Sequence, residues 1–151
     1  MLVSEHGMME LIAFTLGEQE FCVEVTSVRE IRSWTPATIL PHSPDHVRGV
    51  INLRGVVMPI MDLSLRLGMA ASEPTQEHVI IVTRIGEQTV GLLVDSVSDI
   101  FTVAADSIQP APDVSRKIDR ELIRGMIPMD DRMICFVELH ALFETLESEA
   151  A

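Results

Sequence analysis

Apolar positions fall in short runs rich in Val and Ile, broken by Gly, Pro, Asp and Glu, a pattern that favours strands over helices. Residues 10–16, the turn Gly17-Glu18-Gln19 and residues 20–25 read as strand, tight turn, strand, because Gly supplies the positive φ that a hairpin requires. Residues 78–85, a second Gly86-Glu87-Gln88 and residues 89–94 repeat the unit, with Gly86 standing 69 residues after Gly17. Two further apolar runs, 56–61 and 133–137, end on Asp62 and Glu138, as the two hairpins end on Glu24 and Asp95. An acid at a helix start accepts free backbone N–H groups and suits the dipole, so all four predict short amphipathic helices. The first of these would cover residues 25–31 and the last 138–146. Four strand-turn-strand-helix units predict an approximate duplication: an all-β fold of two small barrels, about five strands each, with a C-terminal helix.

The intervening segments read as connections. Pro36, Pro41 and Pro44 cannot donate to a central ladder, so residues 35–44 form an edge or a loop. Residues 68–76 are small and polar, and 105–120 make a long excursion in which the greatest mobility is expected. The expected organisation is a flexible N-terminus over 1–9, one domain over 10–146 and an acidic tail over 147–151.

At 151 residues the chain is long enough for a core without disulfide staples. Cys22 and Cys135 stand in apolar runs without Cys-x-x-Cys spacing and read as reduced core thiols. A formal charge of −12 and scattered Lys and Arg argue against nucleic acid as a partner and against anionic membrane surfaces. No apolar run is long enough to insert in a membrane, and the start has no basic stretch leading into an apolar one, so a cytoplasmic protein is expected.

Nucleophile, zinc and phosphate signatures are absent, so neither catalysis nor a cofactor is expected. His42 and His46 have ligand spacing, but Pro44 between them breaks a helix and they read as solvated loop residues. Asp62 and Asp95 as a hydrolytic pair are set aside for the helix-start reading. Asp130-Asp131 reads as a hairpin tip. Arg-Gly follows an apolar residue three times, at Arg48-Gly49, Arg54-Gly55 and Arg124-Gly125. A guanidinium in an apolar run must leave for solvent, lie flat or find an acceptor, and a bulge that turns it outward suffices for two of the three. Arg54 is the best interaction candidate, because it joins two strongly apolar segments and so stands at the rim of apolar surface. A groove lined by Val28, Ile31, Val50 and Val97, with Glu30 and Arg54 of opposite sign at its rim, would take a helix and set its orientation.

The phrases Val28-Arg29-Glu30-Ile31-Arg32, Arg48-Gly49-Val50-Ile51-Asn52-Leu53-Arg54-Gly55 with its continuation to Leu63, and Val90-Gly91-Leu92-Leu93-Val94-Asp95 resemble the chemotaxis coupling protein family, CheW. The resemblance covers about residues 10–146. It implies two SH3-like five-stranded barrels around a shared core and a non-catalytic adaptor. The implied partners are the regulatory domain of the histidine kinase CheA and the cytoplasmic tip of chemoreceptors. The residues it associates with those contacts are Val28, Glu30, Ile31, Gly49, Arg54 and Gly91. The chain departs from the family's pattern at Cys22 and Arg48. The competing reading is a small-ligand sensor with a metabolite in the cleft between the barrels.

Overall fold

The computed structural model describes residues 7–112 and 121–150, the last six of these by backbone alone. The two Gly-Glu-Gln hairpins form as expected. In the first, β1 (Met8–Leu16) turns into β2 (Gln19–Glu24) through Gly17 at φ 61. In the second, β6 (Val79–Ile85) turns into β7 (Gln88–Val94) through Gly86, also at φ 61. Two more hairpins join β4 (Val47–Leu53) to β5 (Val56–Asp62) and β9 (Ile123–Met129) to β10 (Arg132–Val137). Asp130 and Asp131 are the tip of the last one.

Two of the four expected helices do not form. After Glu24 there is only a 3-10 turn at Val25–Ser27, which Glu24 does not cap, and the chain continues as β3 (Val28–Ser33). After Asp95 the chain runs directly into β8 (Ser96–Ala104). Both acids are spent on tertiary contacts instead: Arg124 donates to Glu24 at 2.6 Å, and the Gly17 N–H donates to Asp95 at 2.8 Å. The other two helices are real. Asp62 accepts from the Leu65 N–H at the start of α1 (Leu63–Arg66), and Glu138 accepts from the His140 N–H at the start of α2 (Leu139–Ala150). α2 runs past Leu146, where the sequence reading ends it, because no Gly or Pro stops it. The flexible N-terminus and the mobile part of the excursion fall largely on 1–6 and 113–120, outside the described residues. Before them, Ala105–Ser107 form a 3-10 turn and Gln109 bridges to Met126.

The strands form two five-stranded sheets, ordered β8-β1-β2-β10-β9 and β3-β6-β7-β5-β4. In each, two antiparallel hairpins meet at one parallel junction, β2 with β10 and β7 with β5. β1 corresponds to β6, β2 to β7 and β3 to β8; β4 corresponds to β9 and β5 to β10. The duplication is therefore complete, but each half sends its hairpin into one barrel and its next three strands into the other. Barrel two is the continuous stretch β3–β7, and barrel one is assembled from β1, β2, β8, β9 and β10. The bulges obey the same relation. Arg29 and Ser98 are the extra residues in β3 and β8, and Arg48 and Arg124 those in β4 and β9. Two of the three Arg-Gly pairs thus mark bulges, but instead of turning out to solvent their guanidinia find acids, Arg48 meeting Asp62 and Arg124 meeting Glu24.

Each barrel has its own cluster, Met9, Leu11, Ile127 and Phe136 in barrel one and Met58, Ile60, Ile80 and Leu93 in barrel two. A larger cluster joins them, in which Phe14, Leu16 and Phe21 meet Ile81, Val90 and Leu92 under Leu142 and Phe143 of α2. Burial of each such side chain contributes about 1.5–3 kcal/mol. Cys22 is buried in barrel one's cluster and Cys135 is half-buried, both as free thiols. Burial pushes both thiols above the ordinary cysteine range, which leaves them poorly reactive.

Arg48 leaves its bulge to donate to the buried Asp62 carboxylate at 3.1 Å and to lie over the Trp34 ring. Asp62 also accepts from the backbone N–H and the hydroxyl of Ser72, at 2.9 and 3.1 Å, and so ties bulge, helix and connection together. Asp62→Ala would strand Arg48 and release the connection; we expect a loss of about 3 kcal/mol in urea unfolding. Gly49 sits at φ 142 with Thr38 against it, so a side chain there would be driven into the Thr38 carbonyl. Gly86 has open space where a Cβ would go. Gly49→Ala is therefore expected to cost about 3 kcal/mol or more, and Gly86→Ala about 1 kcal/mol, by the same measurement.

Candidate partner-binding surface

Arg54 and Gly55 form the tip of the β4–β5 hairpin, both at positive φ, 50 and 88. That geometry suits a two-residue hairpin and costs a non-glycine residue, so the Arg occupies a backbone position it does not favour. The Asn52 side chain stabilises the turn by accepting the Gly55 N–H at 2.7 Å. From the tip the guanidinium reaches back to β3, where it donates to both carboxylate oxygens of Glu30. Arg32 donates to the same carboxylate at 3.0 Å. The Arg54 side chain remains 66% exposed. It is outward and paired, not sealed in the fold. These hydrogen bonds hold the Glu30 carboxyl below the ordinary glutamate range, the Arg54 bond contributing most.

Uncovered apolar side chains accompany the pair. Val56 and Val57, next to the tip, are exposed, as are Ile31 on β3 and Ile39 and Leu40 in the proline-rich loop. Ile31 lies opposite Ile81 of the shared core, so it stands on the inter-barrel face of β3. Val28 leans on the same core, and Val97 does so from the corresponding position of β8. The structure thus groups Val28, Ile31 and Val97 around the junction between the barrels. Val50 lies elsewhere, on the opposite edge strand of its sheet, exchanging backbone hydrogen bonds with Thr38 at 2.8 and 2.9 Å. Val50, on β4, is not among the residues that pack against the shared core.

Gly49 and Gly91 present nothing to the surface. A Cβ on Gly91 would stand 2.7 and 2.8 Å from Ile60 and Ile80 inside barrel two. Both glycines shape the backbone that carries the exposed residues. His46 is buried, contrary to the solvated-loop reading, while His42 is exposed. Among the described residues no cluster of His, Cys, Asp or Glu could hold a metal ion. Asp62 and Asp95, the hydrolytic alternative, are taken up by other contacts, Asp62 by Arg48 and the Ser72 N–H, Asp95 by the Gly17 N–H and the His78 ring. The junction between the barrels, where a metabolite sensor needs a cleft, is packed with Phe14, Leu16, Val90 and Leu92.

Sequence reasoning missed Ile100 and Met133, both exposed on barrel one. Ile100 pairs with Ile12 of the shared core as Ile31 pairs with Ile81. The 69-residue spacing that relates the two Gly-Glu-Gln turns also relates Ile31 to Ile100, and it was the available signal. Arg32 as a second donor to Glu30 was missed because the strand was expected to be a helix.

Two strand-exchanged barrels with an exposed ion pair and uncovered apolar side chains define a barrel-built scaffold that meets other proteins through its surface. The CheW-like domain model matches residues 10–147, and the chain belongs to that family, whose members are non-catalytic scaffolds of chemotaxis. It is 59% identical over 145 residues to a probable chemotaxis protein CheW of Rhizobium etli, covering 96% of this chain and 94% of that one. It is 57% identical over 146 residues to the chemotaxis protein CheW of Rhizobium meliloti, covering 97% and 94%. The scaffolding protein TtCheW of Thermoanaerobacter tengcongensis superposes with a TM-score of 0.83 at 31% identity, covering 95% of this chain and 93% of that one. No helix among the described residues is long and apolar enough to cross a membrane.

Because the folded Glu30 pKa is lowered, the pair's contribution is complete above the unfolded carboxyl pKa and is lost as pH falls through the folded one. An NMR titration should give Glu30 a midpoint below the ordinary glutamate value. In Arg54→Ala that midpoint should rise without reaching the ordinary value, since Arg32 remains.

Proposed function

We propose that the chain is the adaptor that couples the cytoplasmic tips of chemoreceptors to the regulatory domain of the histidine kinase CheA. It acts in the cytoplasm, at membrane-associated receptor arrays, without inserting in the membrane. The observation that carries the reading is the exposed Arg54–Glu30 pair beside the uncovered Ile31, Val56 and Val57. A charge pair flanking apolar surface supplies orientation and affinity together, as protein-binding surfaces require. Val28, Ile31 and Val97, around the junction of the barrels, form an apolar site suited to the stripe of a helical hairpin. Gly49 and Gly91 contribute by fixing the strands that hold it, and Val50 supports the Arg54 hairpin.

The test is binding of purified chain to a soluble receptor-tip fragment and to the CheA regulatory domain, by calorimetry or pull-down. The wild-type chain should bind both. Arg54→Glu places like charges opposite Glu30 and should weaken binding to at least one fragment about tenfold or more. Its melting temperature should stay within about 4 °C of wild type, because the side chain is outward. Indifference of the wild type to both fragments would overturn the reading, and unchanged binding by Arg54→Glu would overturn the site.

A further inference from the structure

The β9–β10 hairpin of barrel one carries three sulfur atoms on one face. Cys135 stands directly opposite Met126 in the antiparallel register, and Met133 lies two positions before Cys135 on β10, on the same side of that strand. Residues paired across two strands have Cβ atoms about 4.5–5.5 Å apart, and a diagonal neighbour about 7–8 Å away stays within reach of a long side chain. Met126 and Met133 are such diagonal neighbours, with the shorter Cys135 between them. All three line one depression at the surface, whose rim also carries Glu18, Glu20 and Arg132. Met133 is 55% exposed and Cys135 is half-buried, so the sulfurs can be reached from outside.

The internal duplication supplies a comparison within the chain. Met126, Met133 and Cys135 each lie 76 residues after a counterpart, Val50, Val57 and Pro59. Val50 pairs with Pro59 across β4–β5 as Met126 pairs with Cys135 across β9–β10. Val, Val and Pro suffice for the hairpin of barrel two, so the framework itself needs only apolar bulk at these positions. Barrel one has a sulfur at every one of them. Thioethers and thiolates are soft donors, which select a soft monovalent ion such as Cu(I) over the hard divalent cations that oxygen ligands hold. The rim points the same way. Both carboxylate oxygens of Glu20 are taken by Arg132, and Glu18 leaves the lining charges with an excess of one acid, which favours a cation. Each methionine has three rotatable bonds with which to bring its sulfur to an ion anchored at the less mobile cysteine.

We propose that Met126, Met133 and Cys135 form a binding site for a soft monovalent metal ion of the Cu(I) kind, with the thiolate as anchor and the two thioethers completing a three-sulfur set. On binding, a bond forms between the metal and Cys135 Sγ while the thiol proton leaves to solvent. The ion keeps its single positive charge, so nothing is oxidised or reduced. Bound metal ties β9 to β10 across their shared face. This site is separate from the Arg54 surface and does not depend on the assignment of the partners there.

Ag(I), which matches Cu(I) in charge and softness and is not readily oxidised, is the first probe. It is titrated as the nitrate, in buffer without chloride or added thiol, into the full chain carrying carbon-13 at its methionine methyls. Of the nine methionines, Met126 and Met133 should shift, saturating at one ion per chain. Cu(I) is then offered as its bicinchoninate complex under nitrogen, and the chain should withdraw one ion from it. Met133→Leu, at an exposed position, and Met126→Val, which installs the counterpart's residue, should each weaken Cu(I) binding about tenfold, and Cys135→Ser about a hundredfold or more. Amide spectra of the variants should match wild type away from the hairpin. Unmoved Met126 and Met133 methyls overturn the proposal. So do shifts centred on Met9, which shares the buried cluster of Cys22 and would report attack on that thiol. Wild-type affinity in both methionine variants would also overturn it, by showing a thiol that reacts alone. Should Cys135→Ser fold poorly, the two methionine variants decide the matter by themselves.

Discussion

Neither barrel can cover the outer side of its own hairpin, and the fold depends on solving that exposure once for both. Phe14 and Leu16 of β1 and Ile81 and Val90 of the second hairpin occupy a single apolar cluster, sealed by Leu142 and Phe143. β2 leads across this cluster to β3, and β7 leads back across it to β8, so the two sheets are joined both by the chain and by the cluster they share. The exposed residues of the proposed partner surface hang on the same arrangement. Val28 and Val97 stand at the starts of the strands beyond each crossing, partly buried against the cluster.

The two halves keep the framework and vary the surface. Both have a bulge arginine, a close backbone bridge beside the following glycine, and an acid opening a helix. At the hairpin tips they differ. Arg54 at φ 50 has Asp130 at φ 55 as its counterpart, so the cation of the first tip is absent from the second. In barrel one the pair is rebuilt from the neighbouring Arg132, which donates to Glu20 at 2.6 and 2.8 Å and approaches Asp99 at 4.0 Å. A positive charge near the tip facing an acid is thus retained in both barrels. Only in barrel two is it carried by the turn residue itself, beside two exposed valines.

The hairpins were legible because their determinants are local: a Gly at the turn and alternating apolar positions on each side. The bulges were legible for the same reason, since an Arg-Gly inside an apolar run has few local solutions. The crossings were not. Glu24 and Asp95 look like helix caps to any local rule, yet their partners lie far along the chain, Arg124 being 100 residues from Glu24. Asp62 and Glu138 do cap, and no local feature separates the two kinds. Of the proposed partner surface, Arg54, Glu30 and Ile31 could be read from composition and resemblance, whereas the pairing of the first two with each other required the β4–β5 tip to reach β3.

The exchange of strands also sets an order on synthesis. All five strands of barrel two lie between residues 28 and 94, so that barrel is complete as soon as β7 has emerged. The β1–β2 hairpin is made earlier, yet its remaining partners begin only at Ser96 and end at Val137. During that interval its apolar side has one native surface available, the flank of the barrel that follows it. The order of emergence therefore favours completion of the continuous barrel before the split one closes against it.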